Sequence, residues 1–167
     1  MDIFSGCHFT FIKGNHERRF EKYLLENAPE LIGVKGTTVE EQLDLPQKGV
    51  EFVDNLKLLE ETGEPYNIGQ LYYFHGHELS GAGVHTARNK YMKVQKNLLF
   101  AHYHCPQSYF HKSFNDVYGA FCTGCLCDVN PSYAPAAQHI QGFAIVEHEE
   151  DGTFSVQNKT IIYGRVY

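Results

Sequence analysis

The segment LLFAHYH, from Leu98 to His104, predicts a strand that contains two histidines. Cys105 and Pro106 follow directly and end the pattern. Because side chains alternate along a strand, we expect His102 and His104 to emerge on the same face, a few ångströms apart. The segment therefore predicts a pair of imidazoles at the end of a strand.

Two other predicted strands end in side chains of the same kind. QLYYFH, from Gln70 to His75, is apolar and aromatic and is stopped by a glycine. Near the start of the chain, the alternating run FTFI leads through a glycine into Asn15 and His16, where a helix is predicted to begin. The junction of a strand with a helix is a common place for ligands in α/β proteins.

Three strand ends that each carry a nitrogen or an amide oxygen could surround one metal cluster. Imidazole suits zinc, manganese and iron, and the asparagine oxygen suits the harder of these ions. A single histidine at a strand end is more often a partly exposed polar residue. The coincidence of the three ends is what indicates a metal site.

The rest of the chain predicts an α/β fold whose second half is mostly β. Hydrophobic periodicity and one capping box (Thr38 with Glu41) predict helices over Glu17 to Glu26, Thr38 to Leu45 and Val84 to Lys96. Alternating patterns and the Asp-Gly turn signal predict strands over Val50 to Val53, Ser108 to Phe114, Val117 to Cys125, Phe143 to His148 and Phe154 to Asn158.

Composition excludes several classes of protein. The 167 residues predict a single domain over 1–167, and an apolar content of 43% is enough for a packed core. A net charge of −6 argues against bulk attraction to nucleic acid or to an anionic membrane. Five cysteines without a secretory signal predict free thiols in a cytoplasmic protein. The apolar runs are too short to predict a membrane segment.

Several motifs together resemble those of calcineurin-like metallophosphoesterases, in order and in spacing. They include the stretches GCLCDVNPSY and QGFAIV, which are similar to stand-alone members from bacteriophages and bacteria. The motifs are GNHE at Gly14 to Glu17, HGH at His75 to His77, AHYH at Ala101 to His104, GCLCDVNPSY at Gly124 to Tyr133 and QGFAIV at Gln141 to Val146. The resemblance runs from about Cys7 onward and implies an α/β sandwich of two sheets flanked by helices.

The resemblance also implies a role for individual residues. Asn15, His75 and His102 would bind one divalent metal, and His104 would bind a second. His16 would protonate the leaving oxygen. The metals would be manganese, iron or zinc, and they would supply an activated hydroxide for the hydrolysis of phosphate mono- or diesters. The substrate could be a phosphoprotein, a nucleotide or a nucleic acid.

Three residues beside His16 are predicted to support it. Glu17 would orient His16, as the resemblance implies. Arg18 and Arg19 lie next to His16 in the sequence and are candidates for contact with the substrate phosphate.

The chain departs from the family pattern before Gly14. The family's D-x-H and G-D motifs do not occur there, and Asp2 stands in no matching context. The sequence therefore resembles the carboxyl-terminal portion of the fold, and we expect self-association or a companion chain that supplies the missing strands. We expect the chain alone to bind at most one metal weakly and to have little activity. A catalytically inactive binding or assembly module is the alternative.

Cys122, Cys125 and Cys127 form a C-x-x-C-x-C motif, a spacing that zinc and redox sites also use. In a strand, Cys125 and Cys127 would share one face, and no fourth ligand follows at the spacing of a zinc finger. We expect buried thiols, and a structural thiol–zinc protein is the alternative.

The predicted helix from Val84 to Lys96 is locally basic, and we expect its charged residues to form a solvated face rather than a phosphate site. The loop SGAG at 80–83, flanked by His77 and His85, either closes over a substrate or is solvated. The basic residues of the helix are Arg88, Lys90, Lys93 and Lys96.

Overall fold

The computed structural model describes residues 5–79, 84–132 and 135–167, so that Asp2, the SGAG loop at 80–83 and Tyr133 lie outside the described residues. The chain is mixed α/β and forms two compact units, Met1–Gly63 and Glu64–Tyr167. None of the helices within the described ranges has the length and apolar character needed to cross a membrane.

The first unit pairs two short parallel strands and carries three α-helices. Phe9 lies opposite Val50, and the pairing continues in register to the last residues of both strands. A 3₁₀ turn at Pro29–Leu31 follows the first helix. In chain order, the elements are β1 (Phe9–Ile12), α1 (Asn15–Asn27), α2 (Val39–Gln42), β2 (Val50–Val53) and α3 (Asn55–Thr62).

Local capping explains where the helices of the first unit begin. The side chain of Thr38 accepts the backbone N–H of Glu41, and the carboxylate of Glu41 reaches back to Thr38, so the predicted capping box is confirmed. Helix α3 did not emerge from the sequence pattern. The side chain of Asp54 caps it, and Gly63 ends it with a left-handed φ of 79°.

The second unit is built on a five-stranded sheet with the order β3-β4-β5-β7-β6. Strands β4, β5 and β7 are parallel to one another, and β3 and β6 are antiparallel edges. A three-stranded sheet, β10-β9-β8, holds the predicted hairpin, in which His148 lies opposite Phe154. The elements are β3 (Asn67–Ile68), β4 (Leu71–Phe74), α4 (Thr86–Val94), β5 (Asn97–Phe100), β6 (Gln107–Lys112), β7 (Val117–Cys122), β8 (Gln141–His148), β9 (Phe154–Ile162) and β10 (Arg165–Val166).

The core of the second unit lies between α4 and the five-stranded sheet. Helix α4 buries Ala87 and Tyr91, as its periodicity predicts, and the central strand β5 buries Leu98 and Phe100 almost completely. Burial on both sides of a parallel strand explains its continuous apolar sequence. This packing fixes the ends of β4 and β5, from which the candidate site is built.

The prediction that the basic residues of this helix form a solvated face holds for Arg88, Lys93 and Lys96, which are exposed, but is wrong for Lys90. Its side chain is fully buried, and its ammonium donates to the backbone carbonyl of Leu79 and lies 4.7 Å from the ring centroid of Tyr103. Burial lowers the pKa of Lys90. The carbonyl and the aromatic ring supply the partners that a buried ammonium requires.

Candidate metal centre

The carboxyl ends of β4 and β5 bring two predicted ligands together. The strands are parallel neighbours with Phe74 opposite Phe100, and the backbone N–H of Ala101 donates to the carbonyl of His75 at 3.0 Å. Nε2 of His75 lies 3.2 Å from Nδ1 of His102. The predicted approach of these two histidines is therefore present in the structure.

Gly76 permits this close approach. Its φ is 119°, and a Cβ at this position would lie 2.9 Å from the carbonyl oxygen of Ala101 and 3.0 Å from Cβ of His102. Any side chain would therefore push the loop after β4 away from the loop after β5. The glycine of the HGH motif has a direct steric role in the site.

Glu78 holds the loop after β4 and was not among the predicted site residues. Its carboxylate accepts the backbone N–H of Gly76 at 2.7 Å and that of His75 at 3.3 Å. It also lies 3.4 Å from Nδ1 of His77, and both side chains are largely buried. The His77 ring centroid is 5.3 Å from that of His75. An acidic residue three positions after a strand-end histidine is the signal that could have indicated this role.

The prediction that strand alternation places His102 and His104 on one face is wrong. Strand β5 ends at Phe100, and both histidines have left-handed backbone conformations, with φ of 68° and 56°. The N–H of Tyr103 donates to the carbonyl of Ala101 at 2.8 Å, which turns the chain between them. Left-handed conformations outside glycine are uncommon and concentrate at functional sites.

His104 meets a different set of side chains. Its Nδ1 lies 3.2 Å from Nε2 of His139 and 3.8 Å from Sγ of Cys127. Within the described ranges, these three residues are the one group of three or more His, Cys, Asp or Glu side chains whose ligand atoms all lie within 4.8 Å of one another. His139 belongs to no motif, and the 35 residues that separate it from His104 leave no local signal.

Both histidine pairs have the spacing of ligands that share one metal. Two nitrogens that each lie about 2.1 Å from a metal, at an angle of about 90–110°, are about 3.0–3.4 Å apart. The observed 3.2 Å separations of His75 from His102 and of His104 from His139 fall in this range. Each contact is also a hydrogen bond between the two rings, so the spacing is compatible with a shared ion but does not require one.

The environment of His102 favours the neutral imidazole that binds metals. Burial, followed by the neighbouring histidines 75, 77 and 104, lowers the pKa of His102 to about 4, and the charge of Glu78 opposes the shift only weakly. At neutral pH the ring nitrogens of His102 therefore carry no second proton that a metal would have to displace.

This pKa predicts how the metal-free protein responds to acid. Between pH 6.5 and 4 the unfolded chain protonates His102 and the folded chain does not, so the free energy of unfolding falls as the pH is lowered through this window. The reference is His102→Asn, because asparagine tolerates a left-handed backbone. Relative to this variant, we expect the free energy of unfolding of the wild type to fall by a further amount on the order of 1–2 kcal/mol. Solvent screening keeps the difference this small. Urea unfolding of both proteins in the presence of a chelator, at pH 6.5 and at pH 4, measures this difference in the free energy of unfolding. Parallel pH profiles of the two proteins would contradict it.

The three cysteines of the C-x-x-C-x-C motif lie in different environments. Cys122 ends β7 in the core, and burial raises the pKa of its thiol to about 12. Cys125 is also buried, which agrees with the predicted thiols, although it forms an isolated bridge with Gln141 rather than continuing the strand. Cys127 is exposed, so the prediction of a buried thiol is wrong for this residue.

The remaining predicted residues belong to the first unit. Asn15 begins α1 directly after Gly14, as predicted, and His16, Arg18 and Arg19 are exposed on the first turns. The carboxylate of Glu17 accepts the backbone N–H of Gly14 at 2.7 Å and stabilises the start of the helix. The roles of these residues toward a metal or a substrate stay predictions.

Comparison with family models, with curated proteins and with solved structures finds no match to this chain. The resemblance to metallophosphoesterases therefore rests on the motifs of the sequence.

Proposed function

We propose that the protein is a metal-dependent phosphoesterase of the calcineurin-like type that hydrolyses phosphate mono- or diesters. The observation that carries the proposal is the 3.2 Å approach of His75 and His102 at the ends of two adjacent parallel strands. These are the residues to which the resemblance assigns a shared metal. The spacing of their nitrogens suits that role.

The sheets of the second unit support the proposed sandwich architecture. The side chain of Asn158, on β9, donates to the backbone carbonyls of Gln107 and Cys122 at 3.3 and 2.9 Å. These bonds join the three-stranded sheet to strands β6 and β7 of the five-stranded sheet. Two joined sheets with α4 packed on one of them agree with a layered α/β fold.

The proposed roles follow from the chemistry of each side chain. Nε2 of His75 and Nδ1 of His102 would hold the metal. A bound divalent metal polarises a phosphoryl oxygen and supplies hydroxide near neutral pH. His16 would donate a proton to the leaving oxygen, and the guanidinium groups of Arg18 and Arg19 would bind the phosphate.

One observation favours a catalytically inactive metal-binding module as the second candidate. Within the described ranges, the group of three ligand side chains contains two imidazoles and a thiol but no carboxylate. Neutral imidazoles leave most of the charge of a hard cation uncompensated, which weakens binding and lowers turnover. Such a module would bind metal without hydrolysing an ester.

Metal-dependent hydrolysis tests the proposal. We expect the purified chain with Mn²⁺ to hydrolyse an aryl phosphate ester slowly, to lose this activity with a chelator and to regain it when Mn²⁺ is restored. The mass in solution, measured on the same sample, shows whether the active form is self-associated. Bound Mn²⁺ without hydrolysis would support the inactive module. If the chain does not bind Mn²⁺ and does not hydrolyse the ester, both candidates are contradicted.

A further inference from the structure

His104, Cys127 and His139 come from three separate segments that the fold joins. They lie in the loop after β5, in the bend after β7 and directly before β8. The separations of their ligand atoms are 3.2 Å between the two imidazoles and 3.8 Å between the sulfur and His104. A thiolate and an imidazole on one tetrahedral zinc are about 3.6 Å apart. The third pair, the sulfur of Cys127 and the ligand nitrogen of His139, lies within 4.8 Å.

Backbone hydrogen bonds hold the three segments against each other. The N–H of Ile140 donates to the carbonyl of His104 at 2.8 Å, and the N–H of Cys125 donates to the carbonyl of Ile140 at 3.0 Å. In addition, the side-chain amide nitrogen Nε2 of Gln141 donates to the backbone carbonyl of Cys127 at 3.0 Å. Each of the three ligand residues is therefore fixed directly or through an adjacent residue, which favours a preorganised site.

Gly124 makes this contact between segments sterically feasible. A Cβ at this position would lie 2.5 Å from both the carbonyl oxygen of Ile140 and the backbone nitrogen of Gly142. Only glycine therefore allows the segment that carries Cys127 to approach the segment that carries His139 this closely.

The imidazole of His139 presents its Nε2, not its Nδ1, to the group. Within the part of the chain that the structure describes, Nδ1 of His139 is buried and has no hydrogen-bond partner. The second nitrogen of the same ring faces His104.

We propose that His104, Cys127 and His139 form a three-ligand zinc site with an open fourth position. Two imidazoles and a thiolate are a donor set for a borderline-soft ion, whereas manganese and magnesium prefer oxygen. Binding forms two metal–nitrogen bonds and one metal–sulfur bond and releases the thiol proton of Cys127 to solvent. Cys127 is exposed, so water can take the fourth position. The proposal does not depend on phosphoesterase activity.

Cobalt substitution under reducing conditions tests the site on the full chain. We expect the chelator-treated protein with added Co²⁺ to show a thiolate-to-cobalt charge-transfer band, with one thiolate-bound ion per chain. Cys127→Asp, which keeps a metal ligand but removes the sulfur, should lose the band. The matched control Cys7→Ser, another exposed cysteine, should retain it. His139→Gln should weaken cobalt binding by at least about 10–100-fold.

The outcomes separate this proposal from the proposed function. A charge-transfer band in a protein without hydrolysis would leave the zinc site intact. Absence of the band in wild type, or its survival in Cys127→Asp, would overturn the zinc site even if Mn²⁺-dependent hydrolysis were found. Circular dichroism of each variant tests whether the fold is kept. We expect it to be kept in Cys127→Asp, because Cys127 is exposed and takes no part in core packing.

Discussion

His16→Ala is expected to reduce the turnover of phosphate esters by about 10²–10⁴-fold while the bound metal is retained. The reason is that His16 would protonate the leaving oxygen and would not itself bind a metal. His16 is exposed at the first turn of α1, so its truncation should not disturb packing. Steady-state hydrolysis and metal content, measured on the same preparation, check both parts of the prediction.

The leaving group distinguishes an acid from a residue that only shapes the site. Protonation matters most when the departing alkoxide is strongly basic, so the loss should be larger for an alkyl phosphate than for an aryl phosphate. His8→Gln, at another exposed histidine of the first unit, is the control and should keep wild-type activity. An equal loss on both esters, or a loss of metal instead of rate, would contradict the role of His16.

His75→Phe is expected to weaken Mn²⁺ binding by at least about 10–100-fold and to abolish metal-dependent hydrolysis. Phenylalanine keeps a ring of similar size against His102 but offers no lone pair. His75 is chosen because its φ is not positive, so a phenylalanine there causes no backbone strain. A phenylalanine at His102 or His104, whose φ values are left-handed, would be strained. Titration with Mn²⁺, followed by the paramagnetic broadening of water or by calorimetry, measures the change.

The control for His75→Phe is the thiolate-to-cobalt charge-transfer band, measured on the same variant. Because Cys127 and His139 form a different group of ligands, the charge-transfer band should persist when His75 is replaced. Unchanged affinity for Mn²⁺ would contradict the assignment of His75 as a ligand. Loss of the cobalt band together with Mn²⁺ binding would show that the two groups act as one site.

The sequence predicted the approach of His75 and His102 because both signals are local. Each histidine follows a short apolar strand, and parallel strands of one sheet end at the same edge. The same reasoning failed for His104, two residues after His102, because alternation assumes an extended chain and β5 ends at Phe100. His102 has a left-handed φ and lies close to Gly76, and no pattern in LLFAHYH indicates either feature.

Tertiary partners account for the other features that the sequence did not predict. The burial of Lys90 depends on the carbonyl of Leu79 and the ring of Tyr103, and both are supplied by loops rather than by the helix. The partnership of Cys127 with His104 and His139 likewise joins three segments. By contrast, the capping of α2 by Thr38 and the strand Val50–Val53 were predicted because their determinants lie within a few residues.

The position of a bound metal tests the central claim most directly. Crystals grown with Mn²⁺ and measured at the manganese absorption edge should show an anomalous peak about 2.0–2.3 Å from both Nε2 of His75 and Nδ1 of His102. That result would establish the shared metal on which the proposed phosphoesterase depends. A map with no peak there, in which the two rings are joined by a direct hydrogen bond at the present 3.2 Å, would contradict it.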